Sequence, residues 1–320
     1  MAFDHDSTTD DVLAGIDLTG RRAVVTGASG GLGEETARAL AAHGTAVTIA
    51  ARDAAKAEAA AERIRAGVPG AALEVRALDL ADLASVRAFA ESFSADHDAL
   101  DLLINNAGVM ACPLQRTEQG WELQFATNHI GHFLLTCLLV PALRAAPAAR
   151  IVNLSSTGHQ LSGVDIDDPF FEHRPYDKWV AYGQSKSANV LFSVALEKRL
   201  AASGVHAYAV HPGGIETDLG RHLEESDVAA LLSRAGVTDP EQFRAGFKTV
   251  PQGAATSCWA ATAAELADRG GIYLEDCSIA APFDGATFGV GIAPHATDAE
   301  TAERLWARSE EWVGETFDLA

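Results

Sequence analysis

Thr26-Gly27-Ala28-Ser29-Gly30-Gly31-Leu32-Gly33 directly follows the β-branched run Ala23 to Thr26 and leads into a stretch of helix formers, Glu34 to His43. A strand that ends in a glycine-rich turn and opens a helix is the arrangement a dinucleotide pyrophosphate requires. Glycines permit the tight turn and the close approach of phosphate, while the helix N-terminus supplies N–H donors and the positive end of its dipole. An ordinary βα loop can look the same, so the reading depends on what surrounds the turn.

Outward from the turn, short β-branched runs alternate with Ala-rich helical stretches. The strands read as Ala23 to Thr26, Ala46 to Ala50, Ala72 to Ala77, Leu102 to Asn105, Ile151 to Leu154, His206 to Val210 and Gly271 to Tyr273, with further helix formers at Ala54 to Ala66. This alternation predicts an α/β fold: a single Rossmann-type doubly wound parallel sheet of about seven strands with helices on both faces. No repeat, linker or composition shift marks a second domain, so 1–320 reads as one domain, with a polar extension at 1–16 and substrate-loop regions at 218–250 and 278–296. The rhythm breaks at His159 to Val180 and at Asp218 to Thr249, loops long enough to carry function. Thr297 with Glu300 predicts a capping box for a last helix whose Ala302, Leu305, Trp306, Ser309 and Val313 face the domain.

Lys and Arg number 24 against 44 Asp and Glu, and the net charge of -20 excludes nucleic acid and anionic lipid as partners. Met1 to Asp11 lacks the basic end and apolar run of a secretory signal, and the later apolar runs read as too short or interrupted to span a bilayer. A cytoplasmic protein with no membrane span is therefore expected. Cys112, Cys137, Cys258 and Cys277 lack CxxC spacing and clustering, so they are expected as reduced, packed thiols with no metal.

Other strand ends agree with the turn. Asp79, with Leu80 beside it, ends the third strand where an adenine amino group would lie, and Asn105-Asn106-Ala107-Gly108 ends the fourth beside the expected cleft. The second strand ends Ala50-Ala51-Arg52: Ala51 stands where an acidic residue would grip the ribose 2′-hydroxyl, and Arg52 can pair with a 2′-phosphate. NADP(H) is thus favoured. Gly30 supplies no second basic residue and Asp53 can turn toward a ribose hydroxyl, so NAD(H) stays possible.

Tyr182 and Lys186, in Tyr182-Gly183-Gln184-Ser185-Lys186, stand four apart on one face of a helix, with the ammonium expected close to the phenol. A free phenol has a pKa of about 10, too high for a base at neutral pH. A Lys cation, joined by the positive ring of an oxidised nicotinamide, lowers that value. Ser156, after the fifth strand in Asn153-Leu154-Ser155-Ser156, can donate to a substrate oxygen, with Ser155 as the competing choice. Asn128 lies on a helix where a carboxamide can hold a bulge and an ordered water that links Lys186 to solvent. Singly, these four also read as a packed aromatic, a solvated charge, a strand-end cap and a buried hydrogen bonder; their joint order is what points to catalysis.

These residues resemble the short-chain dehydrogenase/reductase family, whose Thr-Gly-x3-Gly-x-Gly, Asn-Asn-Ala-Gly, Tyr-x3-Lys and Pro-Gly motifs occur here in order between about Asp17 and Tyr273. Ala50-Ala51-Arg52-Asp53, Val152 to Ser156, Tyr182 to Asn189 and Tyr273 to Cys277 resemble its retinol dehydrogenase-like branch, whose members commonly favour NADP(H). The resemblance implies that Tyr182 is the general acid/base, that Lys186 binds the nicotinamide ribose and tunes Tyr182, that Ser156 orients the carbonyl, and that Asn128 supports a proton relay. It also implies that Pro212, Gly213, Ile215 and Thr217 hold the nicotinamide carboxamide. Ser156 and Tyr182 lie 26 apart, about twice the family's usual spacing, so His159 to Tyr176 form an insertion. In related carbonyl reductases such an insertion covers the dimerising helix face, which implies a monomer or homodimer here rather than the familiar tetramer.

The expected reaction interconverts a hydrophobic alcohol, preferably secondary, and its ketone or aldehyde. Met110, His159, the segment after Gly213, the long loop to Thr249 and Phe283 to Val290 are expected to line the pocket, with Phe283, Phe288 and Val290 either an apolar wall or packing for the last helix. His159 either touches substrate or caps the strand end. A reductase of an activated carbon-carbon double bond is the alternative, followed by a non-catalytic NADPH-binding module.

Overall fold

The computed structural model describes residues 3–234, 236, 241, 246–285 and 288–319. Its sheet holds β1 (Arg22–Thr26), β2 (Ala46–Ala51), β3 (Leu73–Ala77), β4 (Leu102–Asn105), β5 (Arg150–Leu154), β6 (His206–His211), β7 (Ile272–Glu275) and β8 (Ser278–Ile279), in the order β3-β2-β1-β4-β5-β6-β7-β8. The first seven are parallel, and the short β8 turns back antiparallel on β7. β1, β4 and β5 are almost wholly buried, as strands covered on both faces must be. The chain winds outward from β1 to β3 and then returns past β1 to β4. That reversal opens a crevice at the carboxyl ends of β1 and β4.

One layer of the core packs α1 (Thr9–Leu13), α2 (Gly31–Ala42), α3 (Ala54–Gly67) and a late helix, α8 (Val250–Thr262), on the sheet. The opposite layer packs α4 (Leu83–Asp96), α5 (Leu123–Ala145), α6 (Lys178–Leu200) and α9 (Ala299–Val313). A further helix, α7 (Glu225–Arg234), lies in the long stretch between Asp218 and Thr249.

Three expectations are corrected. The segment read as a polar extension forms α1 behind a Thr8/Asp11 capping box and sends Val12 and Leu13 into the core. α9 is capped by Asp298, whose carboxylate accepts from Thr301 N at 2.7 Å, while the Thr297 hydroxyl turns back to the carbonyl of Pro294. Asp298 stands one residue nearer the helix, and its carboxylate reaches the third N–H. α5 is by length and composition apolar enough to cross a membrane, although its sequence reads as interrupted; it is mostly buried inside the protein, as a central core helix is.

The insertion after β5 forms a 3-10 turn over Thr157–Leu161 and then lies along α5 and α9. Its Phe170 ring sits 5.3 Å from Trp312 and 6.0 Å from both Trp121 and Phe125. All four cysteines are free and buried.

Candidate active site

One hydroxyl joins the carboxyl ends of β1 and β4. Thr26 Oγ1 accepts from the backbone N–H groups of Asn106 (2.9 Å) and Ala107 (3.0 Å), and the Asn106 side chain donates to the Thr26 carbonyl (2.8 Å). A Cβ on Gly27 would stand 2.8 Å from Ala107 Cα, and one on Gly33 would stand 2.5 Å from Asn106 Nδ2. The turn therefore packs on the Asn106-Ala107-Gly108 segment as closely as bare backbone allows. Gly30 caps α2 with no side-chain hydrogen bond, which leaves the first N–H groups of α2 for a ligand beside Ser29, Gly31 and Leu32. An uncapped helix start behind a glycine-rich turn fits a pyrophosphate.

At the adenosine end, Ala51 is buried and Arg52 is exposed; among the described residues Arg52 has no ion pair. Asp53 caps α3, its carboxylate accepting from Lys56 N at 3.0 Å, so it is held away from the turn toward ribose that the sequence allows. Asp79 Oδ1 accepts from Ala81 N, and the carbonyl of the buried Leu80 abuts Gly131 of α5 so closely that a Cβ there would collide with it. Across the crevice, Ile215 and Leu32 both press on Gly253 of α8, and Thr217 lies 3.6 Å from where a Cβ on Gly31 would be. Ile215 and Thr217 thus face the glycine turn across the crevice.

Tyr182 and Lys186 are buried on α6. Burial pushes the Tyr182 phenol up to about 12, with the neighbouring Ser156 hydroxyl acting in the opposite direction. Burial brings Lys186 down to about 8, still protonated at neutral pH. Lys186 Nζ donates to the Leu154 carbonyl (3.0 Å) and stands 5.6 Å from the centre of the Tyr182 ring. In the protein alone Lys186 is turned to a backbone carbonyl and burial dominates at the phenol; the lowering expected of Lys186 together with an oxidised nicotinamide concerns the cofactor-bound site. Ser155 is tied to the Lys186 carbonyl at 2.8 Å, which leaves Ser156 as the serine beside Tyr182.

Asn128 sits inside a π-turn, Ala126–Ile130, that interrupts α5. Its Oδ1 accepts from Val109 N, and its Nδ2 donates to the Val109 carbonyl and to Ser185 Oγ, each at 2.9 Å. Its own carbonyl accepts from His132 Nδ1 at 3.0 Å, and His132 Nε2 meets Thr26 Oγ1 at 2.9 Å. The Asn128 carboxamide thus braces the loop after β4 and the turn of α6 before Lys186, because the π-turn aims it inward. His132, unnoticed in the sequence, joins that brace to the cofactor turn.

Two further residues lie beside this group, Gly158 and His159. A Cβ on Gly158 would stand 2.7 Å from Cε1 and 2.8 Å from Cδ1 of Tyr182, so the turn after β5 is the surface against which the ring rests. His159 is fully buried: Nδ1 donates to the Ser156 carbonyl (2.7 Å), and Nε2 accepts from Ala293 N (3.1 Å). Of the two expected roles for His159, the structure gives the structural one. Gln160 also donates to the carbonyls of Val290 and Gly291. The loop with Phe283, Phe288 and Val290 is therefore stitched beside Ser156, and none of the three belongs to the cluster that α9 joins.

A strand-turn-helix cradle with a bare helix start, facing a buried Tyr, Lys and Ser, defines a nicotinamide-dependent oxidoreductase of the Rossmann type. The chain belongs to the short-chain dehydrogenase/reductase family: residues 21–228 match the family model described as short chain dehydrogenase. It is retinol dehydrogenase-like, being 43% identical over 299 residues to human retinol dehydrogenase 12, a match that covers 93% of this chain and 88% of that one. A protein of Streptomyces lividans described as a probable oxidoreductase is 46% identical over 295 residues, covering 91% of this chain and 97% of that one. The crystal structure of a gluconate 5-dehydrogenase from Burkholderia cenocepacia, in complex with NADP and tartrate, superposes with a TM-score of 0.63 at 26% identity, over 81% of this chain and 94% of the other. The chain is thus a dehydrogenase/reductase that acts on alcohol or carbonyl groups with a nicotinamide cofactor.

Proposed function

We propose that this protein interconverts a hydrophobic alcohol and its ketone or aldehyde with NADP(H), and that Tyr182 is the general acid/base. The observation that carries this reading is the buried Tyr182 phenol, beside Ser156 and resting on Gly158 at the carboxyl edge of β5, opposite the uncapped start of α2.

A bound nicotinamide cofactor would supply or accept the hydride, and Lys186 would hold its ammonium on the same side as the positive charge of the oxidised form. Tyr182, held protonated by burial, gives its proton to the carbonyl oxygen during reduction. Ser156 donates a hydrogen bond to the same oxygen, so negative charge develops where two donors are already aimed. In oxidation the phenol must first lose its proton, and the buried Lys186 cation is the group on α6 that favours the phenolate. Asn128 keeps the start of this helical turn in place through Ser185.

NADP(H) over NAD(H) is supported by the free guanidinium of Arg52, by the engagement of Asp53 as a cap and by the NADP in the gluconate 5-dehydrogenase complex. A hydrophobic substrate is supported by the Phe283, Phe288 and Val290 loop beside Ser156, where Val290 is 55% exposed. The test titrates wild type and Arg52→Ala with NADPH and NADH, then screens hydrophobic carbonyls with the preferred cofactor. Tighter NADPH binding that Arg52→Ala removes, and turnover that Tyr182→Phe nearly abolishes while cofactor still binds, are the expected results. Equal binding of the two cofactors would discard Arg52 as selector, and full activity of Tyr182→Phe would discard the mechanism.

A further inference from the structure

Lys248 is a lysine that the reaction described above does not use, yet its side chain is only 1% exposed. Burying an ammonium is costly unless it is paired, and here Nζ meets Asp276 Oδ1 at 2.5 Å. The stem runs across the bare face of Gly213: a Cβ on that glycine, whose φ is +99°, would stand 2.8 Å from Lys248 Cδ and 3.0 Å from Cε. Lys248 N also donates to the Gly214 carbonyl at 2.8 Å, and Ile215 and Lys248 form an isolated parallel bridge. One residue thus holds Gly213, Gly214 and Ile215 by side chain and backbone together.

The other end of the clamp is rigid. Asp276 and Cys277, at φ 47° and 52°, are the two central residues of the tight turn between β7 and β8, whose register pairs Glu275 with Ser278. Cys277 N donates to Thr256 of α8, which fixes the turn to the core. By contrast the stretch after β6 has little support of its own: Gly213 N reaches His211 Nδ1 only at 3.4 Å, and Leu219 N reaches Thr217 Oγ1 at 3.4 Å.

We propose that Lys248 is a positioning residue for the nicotinamide end of the cofactor site: pinned by Asp276, it holds Pro212 to Thr217 in the shape that receives the carboxamide. This rests on the cofactor reading under Proposed function. The test measures, by calorimetric titration of the full chain, the affinities of NADPH and of adenosine 2′,5′-bisphosphate, which occupies the adenosine end alone. Lys248→Met and Asp276→Asn are compared with wild type. Asn tolerates positive φ, so the second variant keeps the turn and carries the test should the first fail to fold.

NADPH affinity is expected to fall about tenfold, the worth of one well-placed hydrogen bond, while the bisphosphate stays within about twofold. Unchanged NADPH affinity in Asp276→Asn would overturn the proposal. Equal weakening of both ligands would overturn it too, because a general disturbance of the fold makes no distinction between the two ends. Failure of the wild type to bind either ligand would remove the cofactor reading, and this inference with it.

Discussion

Replacing Gly158 with alanine adds one methyl group where the turn after β5 comes nearest the Tyr182 ring. The new Cβ would stand 2.7 Å and 2.8 Å from two ring carbons, whereas carbon atoms rest at about 3.5–4.0 Å. The ring must therefore retreat by roughly 1 Å, or the turn carrying Ser156 must yield by as much. Gly158 is not among the glycines with positive φ, so alanine meets no backbone penalty and the effect is confined to that contact. A displacement of about 1 Å at a reacting group costs on the order of 100-fold in rate, and overpacking costs about 1–3 kcal/mol of stability. The assay is NADPH-coupled reduction of the best carbonyl from the screen, with NADPH affinity and Tm measured on the same preparation. kcat should fall about 100-fold with NADPH affinity unchanged, because Gly158 lies outside the glycine turn. A variant that keeps kcat within about threefold would refute the view that this turn positions the phenol.

His159 separates two links that one residue makes. His159→Asn retains a group near Nδ1 and loses the acceptor for Ala293 N, so KM should rise with kcat held; His159→Gln reaches toward Ala293 and frees the Ser156 carbonyl, so kcat should fall. Each effect is expected to be about tenfold, and identical kinetics in the two variants would discard the division of labour. Acid should destabilise the protein through buried imidazoles. Burial lowers His129 and His211 to about 3 and His132 and His159 to about 4. These groups stay neutral in the fold while the unfolded chain takes up protons below about pH 6.5, so stability is lost as pH falls from there toward 4. Each costs about 2 kcal/mol by pH 5, opposed by Glu122 and Glu275, which burial pushes upward. A urea midpoint unchanged between pH 7 and 5 would contradict this.

The parallel sheet and the cofactor turn were legible because their signals are local: a strand, a bare turn and a helix start lie within Ala23 to His43. Tyr182 and Lys186 were legible for the same reason, since four residues along a helix fix a shared face. The need for glycine at 131 and 158 was not, because the atoms that exclude a Cβ belong to Leu80 and Tyr182, far away in the chain. Nor could the sequence say that Lys186 turns to Leu154, that His132 links Asn128 to Thr26, or that His159 is buried. Each of these depends on which neighbours a fold brings within about 3 Å. The Thr297 cap failed differently: Asp298 is an equally good capping residue one position on, and spacing alone does not choose between them.

The bond from Thr26 to the Asn106 and Ala107 amides spans 80 and 81 residues of chain. A nascent chain leaving the ribosome therefore carries β1, α2 and β2 without the partner that closes the cradle, and the edge of β1 stays open until β4 emerges. At synthesis rates of about 5–20 residues per second that interval lasts several seconds. The half that carries the glycine turn thus has a sheet edge that waits long for its partner.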